Sequence, residues 1–167
     1  MGSSSHTATT MQRQIRQLEA RDHDAIAEIY RLSVLGSTAE LYSQQQQWAW
    51  AAQSETLRSL LNEGEGLVIC HQDDQPEAFS LRYPLDRLAL LYCHPHSQRQ
   101  GYGRALIEAI EQAATADQVS TLRTEASLIS KPLFERLGWQ VSWREELRIG
   151  GVPFHRFRMH KELGQRY

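Results

Sequence analysis

Between the apolar run Leu88-Ala89-Leu90-Leu91-Tyr92-Cys93 and a helical pattern that begins near Arg104 lies the stretch Gln98-Arg99-Gln100-Gly101-Tyr102-Gly103. Strand, glycine-bearing turn and helix in that order constrain the fold strongly, because together they build a place for a phosphate group. The first amides of a helix have no intrahelical partner, and the helix dipole adds partial positive charge at the same end. Two glycines let the backbone approach an anion with no Cβ in the way. A dinucleotide fingerprint needs a third small residue three positions after Gly103, where Leu106 stands. A P-loop needs Gly-Lys-Ser/Thr, a triplet this sequence lacks.

Composition narrows the rest. A chain of 167 residues, 41% apolar and 23% charged, is one ordinary globular domain with a sizeable core. Net charge is −2 at pH 7, so general nucleic-acid binding and attraction to an anionic membrane are not expected. Apolar runs reach about six residues, far short of the roughly 20 that span a bilayer. The Ser- and Thr-rich start has no apolar stretch of the kind a secretory signal needs. Residues 1–12 read as a disordered lead or tag remnant, with Met11 a candidate start, and residues 13–167 as the single domain. Cys70 and Cys93 fall on strand patterns, which reads as reduced thiols in a cytoplasmic protein. His94 and His96 have no third ligand at a metal-binding spacing, so no metal is expected.

Periodicity supplies an outline. Gln14 to Leu18 reads as a strand, and Asp22 offers a cap to a helix carrying Ile26, Ile29, Tyr30 and Val34 that Gly36 stops. Ser43 caps a helix with Trp48, and Ser54 one with Leu57, Leu60 and Leu61 that ends at Gly64. Leu67 to His71, Ala78 to Tyr83 and Leu88 to Cys93 are strands joined by short connections, which favours antiparallel pairing. Tyr102, Leu106, Ile110 and Ala113 make the apolar stripe of the next helix. Thr121 to Glu125 completes a strand–helix–strand unit, which demands a right-handed parallel crossover. A helix near Ser130 to Leu137 follows, then a strand from Trp139, the turn Ile149-Gly150-Gly151-Val152 and a last strand. The expected class is α/β: a mixed sheet, antiparallel in its N-terminal half, with helices on both faces.

His94-Pro95 followed by Gln98 through Gly103 resembles motif A of the GNAT acyltransferases, Gln/Arg-x-x-Gly-x-Gly/Ala after a strand ending in His-Pro. Pro132-Leu133-Phe134-Glu135-Arg136-Leu137-Gly138-Trp139 is similar to the family's Pro-Phe-Tyr-Glu-x-Leu-Gly-Phe segment, and the likeness runs from about Gln14 to Leu163. Tyr42-Ser43 followed by Trp48 resembles an uncharacterised bacterial branch of the family.

The resemblance implies acetyl-coenzyme A as cosubstrate and transfer of its acetyl group to an amine of a small molecule or protein. Backbone amides of Gln100, Gly101, Tyr102, Gly103 and Arg104 would hold the pyrophosphate, with Arg99 and the Arg104 side chain beside it. Leu91, Tyr92 and Cys93 would pair with the pantetheine arm, Ser127 and Phe134 would flank it, and Tyr30, Tyr42 and Trp48 would face the acceptor. No nucleic acid or membrane partner is expected; a homodimer is left open. An alkyl amine titrates near 10.4, so reaching its neutral form at pH 7 costs about 4.6 kcal/mol, which a base or a desolvating channel must offset. Two positions depart from the family. Phe134 stands where many members carry a tyrosine that protonates the departing thiolate, and Ala89 where relatives often carry an acid. Tyr92, Asp86, Glu125 and His94 remain as proton-handling candidates, with Tyr92 the assigned catalytic residue. The missing groups also define the alternative, a non-catalytic coenzyme A-binding sensor or partner-binding module.

Overall fold

A computed structural model describes residues 13–164; the expected lead over residues 1–12 lies outside that range. Seven strands form one sheet in the order β1-β2-β3-β4-β5-β7-β6. They are β1 (Gln14–Gln17), β2 (Glu65–Cys70), β3 (Pro76–Arg82), β4 (Arg87–Cys93), β5 (Thr121–Ala126), β6 (Gln140–Ile149) and β7 (Val152–Glu162). The helices are α1 (His23–Ser37), α2 (Gln44–Ala51), α3 (Ser54–Glu63), α4 (Tyr102–Ala116) and α5 (Lys131–Arg136). Neighbouring strands are antiparallel except β4 and β5, the parallel pair that α4 connects. This is the mixed α/β architecture read from the sequence. Among the described residues no helix is long and apolar enough to cross a membrane.

Side-chain alternation on the strands divides the core between two faces. Val68, Phe79 and Leu81 pack against Ile26, Ile29 and Val34 of α1 and Leu57 of α3. Their neighbours in sequence, Ile69 and Ala78, point the other way and meet Tyr102 and Leu106 of α4. The buried stripe of α4 continues through Ile107, Ile110 and Ala114. It therefore drifts around the helix and takes in Ala114 rather than the expected Ala113.

Local signals account for most element ends. Ser43 accepts the Gln46 amide while Gln46 reaches back to the Ser43 amide, a capping box that starts α2. Gly150 and Gly151, at φ +54° and +79°, supply the two left-handed residues of the tight β6–β7 turn. Asp22 precedes α1 but does not cap it with its side chain. Its carboxylate is drawn to the Arg16 guanidinium at 2.7 and 2.8 Å and to the Glu19 amide at 2.8 Å, because a charged partner is a stronger one. The third helix begins at Ser54 with Gln53 in the cap position, one residue before the expected cap.

Phe79 is fully buried and stacks on Tyr92 with ring centroids 5.7 Å apart. Replacing Phe79 with Ala should lower the unfolding free energy by about 3–5 kcal/mol in urea titrations. A loss below about 1 kcal/mol would show that this part of the core collapses to fill the gap.

Candidate active site

The parallel pair is short. Arg87 faces Arg123 and Leu88 faces Thr124, and the register ends there. Two contacts bracket it: the Arg123 amide donates to the Asp86 carbonyl at 2.9 Å, and the Thr124 hydroxyl donates to the Leu88 carbonyl at 2.8 Å. Next on β4 comes Ala89, passed over in the pairing with β3, where Leu81 meets Leu90 and Arg82 meets Leu88. An extra residue of this kind bends its strand and sharpens its twist. From Ala89 onward β4 leaves β5, which continues paired only with β7.

The opening between the two strands holds two adjoining cavities. One, of about 230 Å³, is walled by Leu90 to Cys93, Gly103, Ser127 and Phe134. The other, of about 410 Å³, is walled by Tyr30, Tyr42, Phe154, Arg87 and Arg156. Trp50, Ala89, Leu90, Tyr92, Glu125 and Ser127 belong to both walls and mark the junction.

The N-terminus of α4 faces the first cavity through Gly103. Gly101 takes the cap position at φ +78°, a conformation that favours glycine, and no side chain caps the helix. The first helical bond runs from the Ala105 amide to the Gly101 carbonyl at 3.1 Å, so the amides of Tyr102, Gly103 and Arg104 have no intrahelical partner. At Gly103 a Cβ would lie 2.9 Å from the Leu133 Cδ2 methyl, so a side chain there would have to push that methyl aside. The turn is held from two sides. Arg13 donates to the Gln100 carbonyl at 2.7 Å, and the Gln98 side chain donates to the Ser37 hydroxyl.

The expected cofactor side chains are placed unequally. Leu91, Tyr92, Cys93, Ser127 and Phe134 line the first cavity. Arg99 is exposed at φ +65°, and Gln100 is exposed. The Tyr102 ring is buried under α4 with its hydroxyl 3.0 Å from His71 Nε2, so only its backbone faces the turn. Arg104 Nε donates to Glu108 Oε1 at 2.9 Å, one turn along the helix, in an exposed pair that leaves its terminal nitrogens unengaged among the described residues. Phe134 is buried against Trp139, with centroids 5.0 Å apart, and offers no proton.

On the acceptor side Trp48 is a correction. Its side chain is 60% exposed, whereas Trp50, about 200° around the helix from it, lines both cavities. The offset between the two tryptophans already required them to face different ways; which one faces inward depends on how α2 docks. Tyr30 lines the second cavity with its hydroxyl donated to the Trp50 carbonyl at 2.7 Å. Tyr42 lines it too and accepts the Leu128 amide at 3.0 Å. Arg87 and Arg156 lacked any motif to mark them.

Of the proton-handling candidates, Asp86 pairs with Arg123 and His94 lies against His96, rings tilted by 39° with centroids 3.6 Å apart, both away from the cavity walls. Glu125 is at the junction, but its oxygens are taken by Arg87 Nε at 3.0 Å and an Arg158 terminal nitrogen at 3.2 Å. Tyr92 is left. Its hydroxyl oxygen accepts the Trp50 indole N–H at 3.2 Å, which leaves its own proton free. Burial pushes its pKa up to about 12, against a smaller opposing effect from the indole hydrogen bond. Burial also pushes the Cys93 thiol up to about 11, helped by Glu77. At pH 8 about one Cys93 in a thousand is then a thiolate, the form that reacts. Alkylation by iodoacetamide, followed by mass spectrometry, should be correspondingly slow and rise about tenfold per pH unit from 8 to 10. Rapid labelling at pH 8 would contradict this environment.

Comparison with known proteins agrees with this geometry. Residues 38–162 match the sequence pattern of the acetyltransferase (GNAT) domain. The uncharacterised N-acetyltransferase YafP of Escherichia coli K12 is 27% identical over 146 residues, 87% of this chain and 93% of that protein. A GCN5-related N-acetyltransferase from Rhodopseudomonas palustris superposes with a TM-score of 0.86 at 27% identity, covering 92% of this chain and 98% of the other. A YncA acetyltransferase from Salmonella typhimurium, solved with acetyl-CoA, superposes at 0.63 with 20% identity, covering 93% and 96%. A family match across most of the chain, on a sheet whose parallel pair parts around a capless helix, means that this protein belongs to the GNAT acetyltransferases.

Proposed function

We propose that the protein transfers the acetyl group of acetyl-coenzyme A to a primary amine, with the Tyr92 hydroxyl at the junction of the two cavities hydrogen-bonding the departing sulfur. The carrying observation is that junction: Tyr92 belongs to both walls and has an uncommitted hydroxyl proton. The Salmonella relative was solved with the same cofactor. The site here fits it on its own evidence, in the unpartnered amides at the start of α4 and the edge of β4 that β5 abandons. When bound, the cofactor supplies an acetyl group activated as a thioester.

The roles of this chain's residues derive from position. Amides of Gln100 to Arg104 would carry the pyrophosphate, using the helix-terminal field. Backbone groups of Leu91, Tyr92 and Cys93 would take an extended arm as a sheet edge takes a strand. Ser127 and Phe134 would close the outer side. Tyr30, Tyr42 and Trp50 would wall the acceptor, excluding water from an amine that must arrive unprotonated. Tyr92 would aim its O–H at the departing sulfur and hold the developing thiolate by a hydrogen bond, a role the Phe134 ring cannot fill. Since its pKa of about 12 lies above that of a thiol, the phenol keeps its proton, and the proton that leaves the amine on acylation passes through solvent to the sulfur. A thiol titrates near 8.5, so the thiolate is a tolerable leaving group and moderate assistance suffices.

Tyr92→Phe should lower kcat by about 100-fold while the Kd for acetyl-coenzyme A changes less than about threefold, read by thiol release and calorimetry. A fall in kcat under threefold would remove Tyr92 from the chemistry. Because burial raises its pKa to about 12, Tyr92 keeps its proton through neutral and alkaline pH. The rate should therefore rise as the amine deprotonates toward pH 10 and show no descending limb below about pH 11; a descent centred near pH 10 would count against a buried phenol. Gly103→Val, which forces Leu133 aside, should weaken coenzyme A binding at least about tenfold, or 1.4 kcal/mol. Unchanged affinity in a folded variant would refute the placement.

A further inference from the structure

The second cavity carries charge that amine transfer by itself does not call for. Its wall includes Arg87, Arg148 and Arg156 and, against them, the carboxylate of Glu125. An amine enters as a cation, and two guanidinium groups beside it oppose that cation. Such a wall disfavours the ammonium form and welcomes an anion.

The hydrogen bonds show how the two inner arginines are held. Arg87 uses Nε to reach Glu125 Oε2 at 3.0 Å, and Arg156 uses Nε to reach Glu145 Oε2 at 2.6 Å. The terminal nitrogens of both have no hydrogen-bond partner among the described residues. Arg158 is a useful contrast: it grips Glu145 with Nε and a terminal nitrogen together, at 3.1 and 2.9 Å, as an arginine does when its role is to join strands. Arg87 and Arg156 are instead tethered at one edge, and only 24% and 32% exposed. A guanidinium fixed by Nε–H keeps its paired terminal groups for a planar oxyanion.

Resting on the reading of this site as an amine acetyltransferase, we propose that the acceptor is a small amine bearing an oxyanion, a carboxylate or a phosphate, which Arg87 and Arg156 seat. The cavity, about 410 Å³, has the size of a small-molecule site. Aromatic walls from Tyr30, Tyr42, Trp50 and Phe154 provide for an apolar body between anion and amine.

The test compares amines with and without the anion, phenylalanine with phenylalanine amide and O-phosphoethanolamine with ethanolamine, with rates expressed per neutral amine because the anion also raises the amine pKa. Thiol release from acetyl-coenzyme A gives kcat/KM, and calorimetry on the coenzyme A-loaded protein gives affinity for the same compounds. The anionic member of at least one pair should be favoured about tenfold or more in both, and which pair responds distinguishes carboxylate from phosphate. Arg87→Gln and Arg156→Gln should each erase the preference while coenzyme A affinity stays the same; if a variant fails to fold, the wild-type comparison decides alone. Neutral members bound and acetylated as well as anionic ones would overturn the proposal and leave the transferase reading standing. Anionic members bound preferentially but never acetylated would support this anion site and count against the transferase reading.

Discussion

Hydrogen bonding between β4 and β5 stops at Leu88 and Thr124, and both cavities exist because of that interruption. Parallel strands joined through α4 would ordinarily stay paired, since buried amides and carbonyls left without partners are costly. Here the Thr124 hydroxyl takes the Leu88 carbonyl at the last paired position, and the extra residue Ala89 turns β4 aside immediately after. The departure leaves an edge inside a sheet, with a helix N-terminus at one end of the gap. An extended ligand with a phosphate at its end would satisfy both sets of idle groups at once. The fold thus prepares a binding site by withholding its own hydrogen bonds.

Charges hold the wall opposite. Arg87, Glu125, Arg158, Glu145 and Arg156 alternate in sign across β4, β5, β7 and β6. Strand register makes this possible, because Glu125 faces Arg158 and Glu145 faces Arg156 across antiparallel pairs. The hydrogen bonds from Arg158, followed by that from Arg156, hold the Glu145 carboxyl down to about 2, against the cost of its burial, so it stays ionised at neutral pH. Exposed ion pairs contribute little to stability. These are partly withdrawn from water and shared, and they fix where each guanidinium points. Arginine serves here better than lysine, because a planar fork can be anchored at one edge and still act at the other.

Aromatic packing joins the two halves of the site. Trp50 stands edge-on to Tyr42 at 5.2 Å and to Tyr92 at 6.4 Å, and Tyr30 meets Tyr92 at 4.9 Å. The cluster both buries Tyr92 and supplies the indole N–H that its oxygen accepts. Burial and hydrogen bonding act on the phenol in opposite directions, and burial wins.

Signals that act over a few residues were readable directly. The Ser43 cap, the Gly150-Gly151 turn and the strand–turn–helix around Gly101 depend on backbone conformations that particular residues favour. The likeness to GNAT acetyltransferases rested on the same short-range pattern and agreed with the mixed sheet, while the place of β7 between β5 and β6 came from the tertiary structure. Choices made by docking between distant elements were not readable. Trp50 rather than Trp48 faces the cavity because α2 settles against Tyr42 and Phe154, and nothing in the local pattern distinguishes the two indoles. Asp22 abandons the helix cap because the Arg16 guanidinium arrives from the neighbouring strand. Sequence alone therefore determined the elements, the glycine turn and the family, since those depend on local stereochemistry and spacing. Tertiary structure alone decided where β4 leaves β5, which tyrosine meets both cavities and which arginines keep free nitrogens there, because each depends on groups far apart in the chain meeting at one register.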